Sequence, residues 1–312
     1  MEIHQLRYFV TVAETGNFTR ASERCNVSQP SLSQQIIKLE SEMGHKLFHR
    51  LGRKAVLTET GLTFLERARR ILFEIETAGK EIKDSPGTER RIVVGAIPTV
   101  MPYLLPIIIA EARRKHPNLV IHAREDFRTP IVKSVMDGEL DLALASTPIP
   151  DARAAVEPLF TEHLLLAVPE QHHLAARPAV TGADLKDETF VLLGHSSSLT
   201  AQIHQFCGAH DFEPTIGYRC NQLSTVKYFL KMGLGISILP QITHTPERDK
   251  GIVYRRLSGR PPQREIALVR HPQRYQTRGA VLFLEELRAA IKKHPDVSPI
   301  AGARAAVPSN YD

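Results

Sequence analysis

The chain has 312 residues, room for two or three domains at roughly 100 to 200 residues each, so burying a sizeable core poses no difficulty. Lys and Arg number 40 against 34 Asp and Glu, a formal charge of +6 that permits an anionic partner without proving one. No apolar run approaches the roughly 18 residues of a membrane-spanning helix, and "YLLPIIIA" (103 to 110) is short and interrupted by Pro106. The N-terminus lacks the charged start and apolar block of a signal peptide. Three scattered cysteines, at 25, 207 and 220, form no disulfide framework, which agrees with a reducing cytoplasm.

In chain order, "IHQLRYFVTVAETG" places Leu6, Phe9, Val10 and Ala13 at helical spacing and stops at Gly16. Asn17 can cap a short helix, "FTRASERC", and a tight break at "NV" follows. The next helix opens on Ser28 as cap, with Pro30 in a first turn whose N–H groups have no intrahelical partner. At 100° per residue Leu32, Ile36, Leu39 and Met43 share one stripe, leaving Pro30, Gln34 and Ser41 opposite, flanked by Ser33, Ile37 and Lys38. Short helix, tight turn and a second helix presenting Gln and Ser suits a recognition helix in the DNA major groove, where amides read adenine edges. A solvated helix face in a small bundle would share the pattern.

"GHKLFHRLGRKAVLT" (44 to 58) carries His45, Lys46, His49, Arg50, Arg53 and Lys54 with no acidic residue among them. A two-stranded ribbon, 47 to 49 and 55 to 58, would hold Arg50 and Arg53 against phosphates or in the minor groove; a solvated basic loop is the alternative. From Glu59 to Asp84 a long helix spaces Leu65, Ala68, Leu72, Ile75, Gly79 and Ile82 by threes and fours, and Leu65, Leu72 and Ile75 are expected to form a dimerisation seam. That stripe could instead pack on its own domain. "SPGTE" then ends the helix as a linker.

The run "LRYFVTVAETGNFTRASERCNVSQPSLSQQIIKLESEMGHKLFHRLGRKAVLTETG", with its Ser-Gln-Pro helix start, its Leu39-Glu40 pair and its "LFHR" wing, resembles the winged helix-turn-helix of LysR-type transcriptional regulators. The resemblance covers almost the whole chain and is highly specific. It implies base and backbone contacts at Gln29, Pro30, Ser33 and Gln34, with Arg50 and Arg53 in the wing. Position 34 is often Arg in that family and position 37 is commonly basic, where this chain has Gln34 and Ile37. Fewer phosphate contacts and a preference for A·T edges are therefore expected.

Beyond the linker, "RRIVVGA", "LVIHARE" and "LDLALAS" alternate with helical segments, the pattern of a parallel α/β sheet. It resumes through "HLLLAVP", "TFVLLG", "TIGYRC" and "GISILP" and closes with antiparallel candidates "GIVYRRL" and "REIALVR" and a last long helix. The fold class is α/β overall: a winged helix-turn-helix (1–58), a linker helix (59–89) and a two-lobe α/β domain (90–294). Lobe one is placed at 90–161 plus 268–294 and lobe two at 162–267, with a disordered Pro- and Ala-rich tail from 295.

Two such lobes resemble the effector-binding domain of the same family, itself similar to periplasmic solute-binding proteins. Ligands of open α/β sheets bind beyond the carboxyl ends of strands, which selects Thr99, Thr129, Ser146, His195 and Ser196. The resemblance implies that Thr99 and neighbouring amides hold an effector, expected to be anionic; a helix cap is the plain alternative.

"LLGHSSSLTAQIHQFCGA" looks most like the peroxide-sensing branch, which places a reactive cysteine just after the Gly-His pair and a resolving one before the helix ends. Here Ser196 occupies the first site and Cys207 stands near the second, so that disulfide switch is not expected to operate. His204, Cys207 and His210 spread too widely over a helix for one metal ion. Neither a Gly-x-Ser-x-Gly elbow nor a phosphate-cradling glycine loop is present, so neither enzyme nor cofactor is expected. Expected partners are double-stranded DNA, a small effector, RNA polymerase and further copies of the chain, as homodimer or homotetramer. A solute-binding protein or enzyme with a helical appendage is the competing reading.

Overall fold

Caps set the first three helices. In the computed structural model, which describes residues 1–51, 54–83, 90–294 and 296–299, α1 (Ile3–Thr15) ends on Gly16 in the left-handed region at φ 62°. Asn17 opens α2 (Phe18–Arg24), its Oδ1 accepting from the Thr19 and Arg20 amides. After a turn through Asn26 at φ 54°, Ser28 opens α3 (Gln29–Met43) by accepting from Ser31 N. Leu32, Ile36 and Leu39 are fully buried, worth about 1.5–3 kcal/mol each in transfer free energy.

Met43, expected on that stripe, is exposed, and Glu40 takes the buried place. The reason lies in the next element: the amides of Leu47 and Phe48 need an acceptor, and Glu40 Oε1 takes both, at 2.9 and 3.2 Å. A thioether could not. Strands β1 (Phe48–Leu51) and β2 (Lys54–Leu57) then pair antiparallel, with Arg50 opposite Ala55.

Thr58 caps α4 (Glu59–Lys83) by accepting from Gly61 N at 2.9 Å. A Cβ on Gly61 would stand 2.1 Å from the Leu47 carbonyl oxygen, so only glycine fits. Helix α4 folds back onto α1, with the Phe9 and Phe64 rings 5.0 Å apart. The chain divides between Ser85 and Pro86, which groups α4 with the head. Leu65 and Leu72, expected at a seam, pack in part on the head's own core, because the α4 stripe is what covers Phe9 and its neighbours. Ile75 is half-buried, Leu62 and Ile71 are large aliphatics exposed on α4, and the Ile82 side chain lies outside the described residues.

In the second unit, β3 (Arg90–Ala96) leads into α5 (Met101–Lys115), which runs unbroken through Pro106. Then come β4 (Leu119–Glu125), α6 (Arg128–Met136), β5 (Leu142–Ser146) and β6 (Ala155–Pro169). Next are β7 (Thr189–Leu193), α7 (Ser198–Gly208), β8 (Thr215–Cys220), α8 (Leu223–Lys231), β9 (Ser237–Pro240) and β10 (Ile252–Arg255). The chain closes with β11 (Gln263–Arg270), α9 (Arg278–Lys293) and β12 (Ser298–Pro299). Strands β4, β3 and β5 are parallel, as βαβ crossovers require, while β11 runs antiparallel beside β5 and β6.

Strand β6 serves both lobes. Residues 155–163 pair with β11, and residues 164–169 pair with β9 and β10. The return to lobe one comes at Gln263 rather than 268, because β11 is one continuous strand and Ile266 sits in the first lobe's core. Nor is the tail irregular from 295: Val297 is buried and Ser298–Pro299 pairs with Thr161 and Phe160. The remainder, 300–312, lies outside the described residues. Among the described residues, no helix is long and apolar enough to cross a membrane.

Candidate functional site

The head presents one polar face. Gln29, Pro30 and Gln34 are exposed at the start of α3, and Ser33 is half-exposed beside them. Arg50, on β1, reaches across: its Nη1 donates to Ser33 Oγ at 3.0 Å while its guanidinium lies 4.7 Å over the Phe18 ring. The structure thus brings Ser33 and Arg50 onto one surface and leaves most of the arginine's donors outward. Arg53 lies outside the described residues. His49 and Lys54 are also exposed on the ribbon, with Lys38 on the helix. Lys46, in contrast, is drawn to Glu40 at 3.1 Å. Spacing alone could not assign Glu40 a role, because its partners are backbone amides.

In the second unit the five residues chosen from strand ends fall into two groups. Thr99 is 3% exposed, and its hydroxyl is engaged: Oγ1 accepts from Arg264 Nη1 at 2.7 Å. Arg264 in turn grips Glu162 Oε1 through Nε and Nη2, at 2.9 and 2.8 Å, and Glu162 Oε2 accepts from Ile242 N. Both charged side chains are fully buried. Thr99 therefore belongs first to a buried network at the edge of lobe one, beside the point where β6 changes partners. Ser146 is also buried and donates to Ser198 Oγ at 2.8 Å, joining β5 of lobe one to the start of α7 in lobe two. Thr129, His195 and Ser196 are exposed.

Arg128, beside Thr129, carries the charge at this crevice. It is half-buried, its Nη1 reaches only the Ser146 carbonyl at 3.5 Å, and its buried Nε has no partner among the described residues. Among the described residues no carboxylate forms an ion pair with it, and burial pulls its pKa below the usual arginine value. Nothing in the helical periodicity marked it, since an arginine at a helix start reads as a solvated one.

Thiols and imidazoles are otherwise occupied. Cys207 is fully buried and its thiol is pushed up to about 12, by burial first and then by the Glu213 charge. Burial raises Cys220 as well. Neither is poised as a thiolate. His172, His173 and Glu188 gather ligand atoms within 4.8 Å of one another. Yet His172 Nδ1 accepts from Leu174 N, so a neutral ring keeps its proton on Nε2, facing Glu188 Oε2 at 3.2 Å. A metal ligand needs the opposite tautomer. His210 donates to the Phe206 carbonyl, and His204 faces Glu213, so these histidines do not converge with Cys207.

Comparison with known proteins places both units. Residues 3–62 match the bacterial regulatory helix-turn-helix of the lysR family, and residues 85–292 match the LysR substrate binding domain. The DNA-binding transcriptional dual regulator OxyR of Escherichia coli K12 is 34% identical over 305 residues, 95% of this chain and 98% of that one. The Hca operon transcriptional activator HcaR of the same organism is 32% identical over 271 residues, 86% of this chain and 90% of that one. A full-length OxyR variant from Pseudomonas aeruginosa superimposes with a TM-score of 0.71 at 29% identity, covering 92% of this chain and 95% of that one. A short helix, a tight turn and an exposed second helix are the helix-turn-helix that the first of those descriptions names. The chain belongs to the LysR family of transcriptional regulators, with a DNA-binding helix-turn-helix head and an effector-binding domain.

Proposed function

We propose that this regulator reads DNA through Gln29, Pro30, Ser33 and Gln34, with Arg50 and Arg53 on the backbone, and is controlled by a small anion held between the lobes. The observation that carries the second half is Arg128, a half-buried cation with no carboxylate partner among the described residues, beside exposed Thr129 and opposite the start of α7. A carboxylate there would satisfy the buried Nε and couple Arg128 to His195 and Ser196, so its binding favours the closed pair of lobes. The working unit is a homodimer or homotetramer in the cytoplasm that contacts RNA polymerase and catalyses no reaction.

The head's chemistry gives a direct expectation. Amides at 29 and 34 pair bidentately with adenine, and Ile37 adds no charge, so sites selected from a random pool should be enriched in A·T at the half-site positions. Gln34→Ala should cost about 1–3 kcal/mol and relax that preference, measured by competition binding. A flat base composition would remove Gln34 from readout.

For the effector, the full chain is heated with a panel of small carboxylates. A ligand that binds only the folded state raises the midpoint by mass action, and Arg128→Ala should abolish the rise. Thr99→Ala is the poorer probe, because it also removes an acceptor from buried Arg264. Likeness to hydrogen peroxide-inducible genes activators favours a second, thiol-based reading. Burial of Cys207 opposes it: mild peroxide should leave the midpoint unmoved, and a shift abolished by Cys207→Ser would restore that reading.

A further inference from the structure

Ile37 stands where a polar residue would be expected. It is 46% exposed on α3, while Leu32, Ile36 and Leu39 hold the head's core from the other side of the same helix. At about 100° per residue it falls between Ser33 and Gln34 in angle and about one turn beyond them, on the face that carries Pro30. Pro30, Ser33, Gln34 and Ile37 are thus spaced i, i+3, i+4 and i+7, the spacing by which a recognition helix brings side chains to base edges in the major groove. Stability does not account for an isoleucine here. Among the described residues Ile37 is not part of the head's core, and on an exposed helix face a β-branched side chain is a weaker helix former than lysine, arginine or glutamine. A single exposed aliphatic is ordinary on a protein surface; what sets Ile37 apart is its company. It brings a stiff apolar surface to that company, since χ1 of a helical isoleucine is nearly fixed and little freedom is lost on contact.

The major groove offers an apolar side chain one complementary group, the C5-methyl of thymine; the other base edges there present hydrogen-bond donors and acceptors. We propose that Ile37 is a specificity-determining residue that packs on a thymine methyl, close to the adenine read by Gln34. Ile37 can act so only if α3 reads bases, as proposed for Gln29 and Gln34. The two side chains then select A·T pairs by different chemistry. The Gln34 amide pairs with adenine N6 and N7, whereas Ile37 separates thymine from cytosine. Cytosine at that place would turn its N4 amino group against the aliphatic chain and lose a hydrogen bond to water. Three residues of helix rise, about 4.5 Å, against about 3.4 Å per base pair put the thymine within roughly two base pairs of that adenine.

The test is competition binding of the full chain to a duplex selected from a random pool, with each thymine of one half-site replaced in turn by deoxyuridine. That replacement removes the methyl and leaves base pairing intact. One position should weaken wild-type binding about fourfold, the transfer free energy of a single methyl group. It should lie within about two base pairs of the adenine whose replacement Gln34→Ala tolerates. In Ile37→Ala the same deoxyuridine should cost nothing, with the melting midpoint near wild type because the side chain is exposed. Ile37→Gln keeps the bulk without the apolar surface and should behave in the same way. A penalty that persists in both variants gives the methyl to another residue and overturns the proposal. A preferred sequence with a flat deoxyuridine scan sinks Ile37 alone. A pool that yields no preferred sequence sinks base reading by α3 as a whole, and Ile37 with it.

Discussion

Arg264→Ala is expected to lower the stability of the effector domain by about 3–5 kcal/mol. Three buried groups lose their partner at once: the Glu162 carboxylate, the Thr99 hydroxyl and the Thr99 carbonyl. Breaking a buried pair costs far more than the pair gains over apolar residues, because one charge is left in a poorly polarisable surrounding. The double variant Arg264→Met, Glu162→Leu should therefore recover part of the loss. It cannot recover all of it, since the Ile242 amide and Thr99 then stand unpaired. Urea unfolding of wild type, Arg264→Met, Glu162→Leu and the double variant closes the cycle and gives the coupling energy. A single-variant loss below about 1 kcal/mol would mean that water reaches Glu162 and that the network is not closed.

Glu40→Ala should act comparably on the head, at about 3 kcal/mol, through two amides left without an acceptor. Hydrogen bonds to a carboxylate contribute about 1.5–3 kcal/mol, and Leu47 N and Phe48 N both depend on this one. Those residues fix where β1 begins, and hence where Arg50 stands against Ser33. Operator affinity is expected to fall more than stability alone explains. Hydrogen exchange should show Leu47 and Phe48 losing protection first. Glu40→Gln keeps one acceptor oxygen and should fall between. Wild-type melting in Glu40→Ala would show that the ribbon is positioned by its apolar contacts instead.

How far the sequence was legible follows the range of the interactions. Asn17, Ser28, Gly16 and Gly44 act within a few residues, and the helices they bound were visible at once. The alternation of strand and helix gave β3 to β5 and their parallel order for the same reason. Glu40 was hidden because a buried acid inside an apolar stripe breaks the very period used to find the stripe. Arg264 and Glu162 are 102 positions apart, and nothing local to either announces the other. Arg128 was missed although Thr129 beside it was chosen, since the choice favoured hydroxyls at strand ends. On α4 the period alone could not divide the stripe: Leu65 and Leu72 pack in part on the head's own core, and the same spacing would serve a partner helix.

Strand β6 changes partners between His163, opposite Gln263, and Leu164, opposite Pro240, without a break in the chain. Sliding one lobe past the other would forfeit hydrogen bonds on both stretches, and pulling them apart would stretch a backbone with no slack. Twist about the strand's own length is the motion that keeps every bond. The strand behaves as a torsion bar, anchored at each end by a sheet. Glu162 and Arg264 clamp it within two residues of where the twist must be absorbed. Whatever the lobes bind is then reported as an angle, whose stiffness is set at one buried ion pair.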